Sequence, residues 1–326
     1  MLSKCNLTAY RVQRYDFFLI YAKKVVSLQR IMDMKILLYR VKAWIKFHLT
    51  AWNTGGEGVH SPYLFEWVRM VMSDKHSYYV WTDIEACRKA MLLDERVLEF
   101  VDYGSAIKLR RLENANGVTD GLGLTNKRLV KDIAKGSLAK RKYAQMLYRL
   151  VNWLGASRSL ENVRRGDSNV EFRGLTIVEL GTSLGVTTAY LAAADSRNKV
   201  LTYEGCEAVA SVAKENWKTL ELKNITCRVG EIDVEVLARD VDSVDVAFID
   251  ANHTYAGTRE YFNVLADKVV EKSVIVVDDI HHSAEMERAW QEICADERVT
   301  STMDLYQMGL VFFDKHYWHR NYKMRL

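Results

Sequence analysis

Proline is almost absent: Pro62 is the only one in 326 residues. That excludes a proline-rich linker or a polyproline recognition segment. Cysteine is sparse as well. Cys5, Cys87, Cys206, Cys227 and Cys294 are odd in number, and no two stand in C-x-x-C spacing. A disulfide framework and a cysteine-based zinc site are thereby disfavoured, and a reducing, cytoplasmic setting fits best. Long apolar runs are also lacking. The longest near the start, residues 17–22, is closed by Lys23 and Lys24, too short for a membrane span or a signal-peptide core. Nor is there a large excess of one charge: the net +4 is too small to argue for a nucleic-acid partner by itself.

What is present is an ordinary globular composition, 49% hydrophobic and 27% charged, in a chain long enough for one large domain with a cap. The charge is uneven. Ten basic residues face only Asp16 and Asp33 in the first fifty, giving +8 there and leaving −4 for the rest. Residues 1–31 therefore read as a basic extension, either with little structure or as an amphipathic helix on a membrane or a partner. Residues 32–135 read as a mainly helical cap. Ser61 before Pro62 predicts a helix start, continuing to about Met72. Thr82-Asp83-Ile84-Glu85 has the spacing of a capping box for a helix to Leu93. Residues 97–103 suit a strand, 104–123 a loop, and 127–135 and 137–154 helices. In the second of these, Tyr143, Met146, Leu147, Leu150, Val151 and Leu154 form one apolar stripe.

Beyond residue 170 the rhythm changes. Short runs, mostly rich in β-branched residues, at 175–180, 199–204, 225–229, 244–250 and 273–278 alternate with helical stretches at 184–195, 206–220, 234–239 and 258–269. This predicts an α/β fold, a doubly wound, mostly parallel sheet with helices on both faces, over a domain spanning 136–326. Residues 300–305 and 310–313 flank a turn at 306–309, so the sheet should end in an antiparallel hairpin strand.

The segment Glu179-Leu180-Gly181-Thr182-Ser183-Leu184-Gly185 puts a glycine turn between a strand and a helix. Gly181 and Gly185 admit close backbone approach by a ligand, and the helix start offers free N–H groups. Three chemistries compete for it. A dinucleotide site wants a third glycine where Ser183 stands. A hydrolase nucleophile elbow, G-x-S-x-G, is matched literally with Ser183 as nucleophile, but no oxyanion segment of the usual kind accompanies it. A site for S-adenosylmethionine needs an acid at the end of the next strand to hold the ribose hydroxyls, and Glu204 stands there.

With Glu179, the two glycines and Glu204 in place, the chain from Ser137 to Phe313 resembles the class I S-adenosylmethionine-dependent methyltransferases. It is most similar to small-molecule O-methyltransferases of the catechol type and a bacterial branch of them, through His60-Ser61-Pro62, Tyr203-Glu204-Gly205-Cys206 and Asp278-Asp279-Ile280-His281. The resemblance implies a Rossmann-like fold and a cofactor set of Glu179, Gly181, Thr182, Ser183, Gly185, Glu204, Gly205, Gly230, Glu231 and Asp250. It also implies a metal at the strand ends, Mg²⁺ on Asp250, Asp278 and Asp279, although Asp279 stands where that family has Asn. Three converging carboxylates do need a cation or protons to offset their repulsion. Without a metal, Asp250, His253 or His281 would do the proton chemistry.

The expected reaction is methyl transfer to a hydroxyl or amine of a small-molecule acceptor. RNA, such as tRNA, is the alternative acceptor, supported only by the basic N-terminus and the tail Trp318-His319-Arg320-Asn321-Tyr322-Lys323, which more simply reads as solvated. No transmembrane segment is expected; peripheral membrane contact through the N-terminus and a homodimer stay open.

Overall fold

The computed structural model describes residues 34, 36–51, 58–101, 125–164, 174–314 and 319–326. The extension expected over 1–31 and the loop expected over 104–123 lie outside them. Helix α1 covers 36–50. Helix α2, Pro62–Trp67, starts as expected: the Ser61 side chain accepts from the Leu64 N–H and proline takes the first position. It runs into a π-helical turn at Val68–Met72.

Helix α3, Val80–Leu93, begins two residues before the expected capping box, and no side chain caps it. Glu85 is taken by other partners, accepting from Tyr190 Oη at 2.8 Å and Arg88 Nε at 3.0 Å. Strand β1, Val97–Val101, pairs antiparallel with β2, Thr125–Leu129. The helix expected from residue 127 therefore starts later, as α4, Val130–Ser137. The polar residues before Val130 favour the ladder instead, where Glu99 and Lys127 stand directly opposite and form an ion pair. Helix α5, Arg141–Arg164, is longer than the stripe predicted.

The rest is the alternation read from the sequence: β3 Thr176–Leu180, α6 Val186–Ala193, β4 Lys199–Glu204, α7 Glu207–Thr219, β5 Ile225–Val229, α8 Val234–Asp240, β6 Val244–Ile249, α9 Tyr255–Ala266, β7 Val269–Asp278, α10 Ala284–Cys294, β8 Ser301–Asp304 and β9 Met308–Phe312. A last strand, β10, Arg320–Lys323, replaces the expected solvated tail. It pairs parallel with β8 and drops Tyr322 and Met324 into the core.

The eight strands lie in the order β10-β8-β9-β7-β6-β3-β4-β5, and only β9 runs against the others. Successive residues of the central strands serve opposite faces. Ile177, Phe248 and Val276 pack with Leu147, Leu150 and Leu154 of α5 on one side. Val178, Ile249 and Val277 pack with Phe262 and Trp290 of α9 and α10 on the other. Each large apolar side chain buried this way contributes about 1.5–3 kcal/mol, which fixes β3, β6 and β7 as the rigid floor of the molecule. A third cluster joins Trp81, Ile133 and Tyr148 to Tyr190 and Trp217, so α3 and α4 are packed onto α6 and α7.

Candidate functional site

The chain leaves β3 toward β4 on one side and returns to β6 on the other, so β3 and β6 mark the switch point where open α/β sheets hold ligands beyond their strand ends. A cavity of ≈ 480 Å³ lies there, a volume typical of small-molecule sites. Its wall draws on the ends of five parallel strands: Gly181 and Ser183 at β3, Glu204 and Gly205 at β4, Gly230 and Glu231 at β5, Asp250 and His253 at β6, and Asp278 and Asp279 at β7.

The glycine turn is held tightly. At Gly181, φ is +99°, and a Cβ would stand 2.2 Å from the carbonyl oxygen of Asp250. Glycine here lets the β3 and β6 ends close on each other. Gly185 has a different reason: a Cβ would meet Trp217 Nε1 at 2.6 Å, and it forms no part of the cavity wall. Glu179 and Thr182 also lie off the wall. Glu179 is fully buried; its Oε2 accepts from Thr188 Oγ1 at 2.5 Å and Thr202 Oγ1 at 2.6 Å, while Oε1 has no partner. Burial pushes its pKa up to about 7 against those two bonds.

Glu204 faces the cavity, fixed through both oxygens. Oε2 accepts the Ser183 N–H at 2.8 Å, and Oε1 the Cys206 N–H at 3.0 Å. Burial raises its pKa and the backbone donors oppose that. Ser183, the would-be nucleophile, shares a 2.6 Å hydrogen bond with Ser137 Oγ at the end of α4. No histidine is bonded to it among the described residues, so the base a serine hydrolase requires is missing from its side.

Asp250 and Asp278 are buried against each other and joined by a hydrogen bond, and both are raised, first by burial and then by neighbouring carboxylates. A proton between them offsets the repulsion. Burial also works to raise Asp279, but the nearby His282, His253 and Arg40 hold it below the ordinary value. Its carboxylate is 3.5 Å from His282 Nδ1. Among the described residues no three acidic, histidine or cysteine side chains are gathered as a metal cage. The Asp250–Asp278 pair as it stands suits a shared proton.

The two histidines proposed for proton transfer part company. His253 lines the cavity, with Nε2 3.5 Å from Asp250 Oδ1, and burial lowers its pKa. His281 is turned away, with Nε2 2.9 Å from Asp304 Oδ2 and its ring stacked on Tyr306. It takes no part in the cavity wall.

Several lining residues were not singled out from the sequence. Ser137 and Ala139 come from the α4–α5 junction, and Asn252, at φ +49°, from the turn after β6. Gln307 sits in the β8–β9 turn, and its buried Oε1 lacks a partner, as does Asp278 Oδ1. Only the turn signal at 306–309 pointed toward Gln307, because its approach to β7 depends on the antiparallel register of β9 (Asp278 opposite Met308).

Residues 178–280 match the family model of a methyltransferase domain. That domain runs from β3 to just past β7, the stretch that supplies most of the cavity wall. No curated protein matches the chain. Among solved structures, the O-methyltransferase from Bacillus cereus in complex with SAH is 17% identical, covering 62% of this chain and 96% of that one, with a TM-score of 0.42. The O-methyltransferase TomG from Streptomyces achromogenes, in complex with SAM, is 16% identical over 55% of this chain and 82% of its own, at 0.43. An SAH-bound methyltransferase from Podospora anserina is 11% identical over 74% and 99%, at 0.44.

Proposed function

We propose that this protein transfers a methyl group from S-adenosylmethionine to a hydroxyl or amine of a small-molecule acceptor. The observation that carries the reading is Glu204, a carboxylate held through both oxygens by the Ser183 and Cys206 N–H groups in the same cavity as the Gly181 turn and Asp250. A fixed pair of acceptor oxygens there suits the vicinal hydroxyls of a ribose. Gly230, with nothing within 4 Å of a notional Cβ, leaves room for a flat ring beside Glu231.

When bound, S-adenosylmethionine supplies an electrophilic methyl group on a cationic sulfur. The protein's part is to orient the acceptor for in-line attack, largely by positioning. The unpartnered Oε1 of Gln307 and Oδ1 of Asp278 can take N–H or O–H groups of the acceptor. His253, kept neutral near pH 7 by burial, accepts the proton released by the attacking atom. Asp250, hydrogen-bonded to Asp278, keeps charge repulsion out of the cleft. No step is routed through a metal.

Calorimetry tests the reading. S-adenosylmethionine and its demethylated product should bind in the micromolar range, and Glu204→Ala should weaken both at least tenfold. No binding of either would overturn it. A serine-reactive fluorophosphonate that labels Ser183 would reinstate hydrolysis, and labelled methyl recovered in tRNA with none in small acceptors would replace the acceptor class.

A further inference from the structure

Among the described residues, helix α1 carries an apolar face that packs against nothing. Its inner side packs on the body of the protein through Phe47, which is buried and lies 5.4 Å from the Tyr306 ring, and through the Arg40 carbonyl, which accepts from Tyr306 Oη at 3.0 Å. The Tyr39 hydroxyl also donates to Glu287. At 100° per residue the opposite side holds Leu37, Leu38, Val41, Trp44, Ile45 and Leu49. All six are exposed, Leu49 to 81%. Only His48 falls among them, and its ring bonds back to the Trp44 carbonyl.

Such a stripe in water is unfavourable unless something covers it. Its borders say what. Exposed Arg40 lies along one edge and Lys42 and Lys46 along the other, and residues 36–50 contain no acid. The basic residues of 1–33 add to the same end of the sequence. A second copy seated on this face would bring like charges together along both edges. An anionic surface with an apolar interior meets both features at once. The described stretch 36–50 reaches about 22 Å, short of the ~30 Å hydrocarbon core, and among the described residues no helix is long and apolar enough to cross. It fits one lying in the headgroup plane.

We infer that α1 docks this protein on anionic lipid membranes, the outer face inserted and Arg40, Lys42 and Lys46 among the headgroups. Because the inner face rests on Tyr306, whose neighbour Gln307 lines the cavity, docking sets that side of the cavity next to the lipid surface. The inference stands apart from the methyl-transfer reading.

The test is flotation of the full-length protein with vesicles of phosphatidylcholine alone or with roughly one part in three of phosphatidylglycerol. Binding should favour the anionic vesicles about tenfold or more and fall as salt rises from about 0.05 to 0.5 M. Leu38→Glu and Ile45→Glu, on exposed positions, should each reduce it at least tenfold with the thermal midpoint unchanged, and Lys42→Glu should reduce it less. Failure of the protein to float with anionic vesicles overturns the inference. So does binding that Leu38→Glu and Ile45→Glu leave intact. Self-association abolished by Leu38→Glu, without vesicle binding, assigns the face to a second copy.

Discussion

Glu179 gives the protein without cofactor an unusual pH dependence. Its carboxyl sits fully buried between β3, α6 and β4, with two threonine hydroxyls on Oε2 and nothing on Oε1. Burial raises its pKa from 4.5 to about 7. Between those values the folded protein holds a proton that the unfolded chain has released. Stability is therefore complete below about pH 4.5 and is lost as pH rises through 7. The shift of 2.5 units at 1.36 kcal/mol per unit amounts to about 3 kcal/mol, a large part of a typical folding free energy.

Glu179→Gln removes the titration and keeps the shape, with the amide oxygen placed to accept from Thr188 and Thr202. The assay is urea unfolding of both proteins without ligand at pH 5, 6.5 and 8. The variant's stability relative to the parent should rise by about 2.5 kcal/mol from pH 5 to 8, most of it between 5 and 7. Groups that titrate alike in both proteins cancel in this difference. A difference that stays flat across the range would refute the reasoning, because it would mean that Glu179 is ionised in the fold throughout.

Gly181→Ala should destabilise by at least about 2 kcal/mol in the same assay, since its Cβ would stand 2.2 Å from the Asp250 carbonyl at φ +99°. His253→Gln should lower kcat about a hundredfold while the calorimetric affinity for S-adenosylmethionine stays within about twofold. In the parent, activity should rise with pH through a midpoint below 6.5, because burial lowers the His253 pKa and the base must be neutral; a kcat profile checks this. Turnover should survive exhaustive EDTA treatment, and a loss restored by Mg²⁺ would return the chemistry to the three aspartates. Ending the chain before Arg320 should cost several kcal/mol in urea unfolding, since Tyr322 and Met324 leave the core.

The sheet and its flanking helices were largely legible because their signals are local. Strands β3, β6 and β7 announce themselves as apolar runs buried on both faces of the sheet, and Gly181 and Glu204 mark their own places at strand ends. The cap was read less well. Lys127 and Arg128 look helical beside Val130, Ile133 and Ala134, yet they pair across to β1, a contact that depends on chain 28 or more residues away. Strand β10 shows only four residues of weak alternation, and its partner β8 is decided by the β8–β9 hairpin. In both cases pairing at long range overrode local pattern.

The site shows the same division at finer grain. Position in sequence could bring Asp250, Asp278 and Asp279 to one edge, but not say where each carboxylate turns. Asp279, at φ +53°, stands 3.5 Å from His282, while Asp250 and Asp278 share a hydrogen bond. A pair of buried carboxylates holds a proton where a converging triad would demand a cation. Likewise His253 and His281 look equivalent in sequence, each a few residues beyond a strand-end acid. His281 is drawn to Asp304 of β8, a strand that reaches it only through the antiparallel turn of β9. His253, stacked on His282 and 3.5 Å from Asp250, stays on the cavity wall.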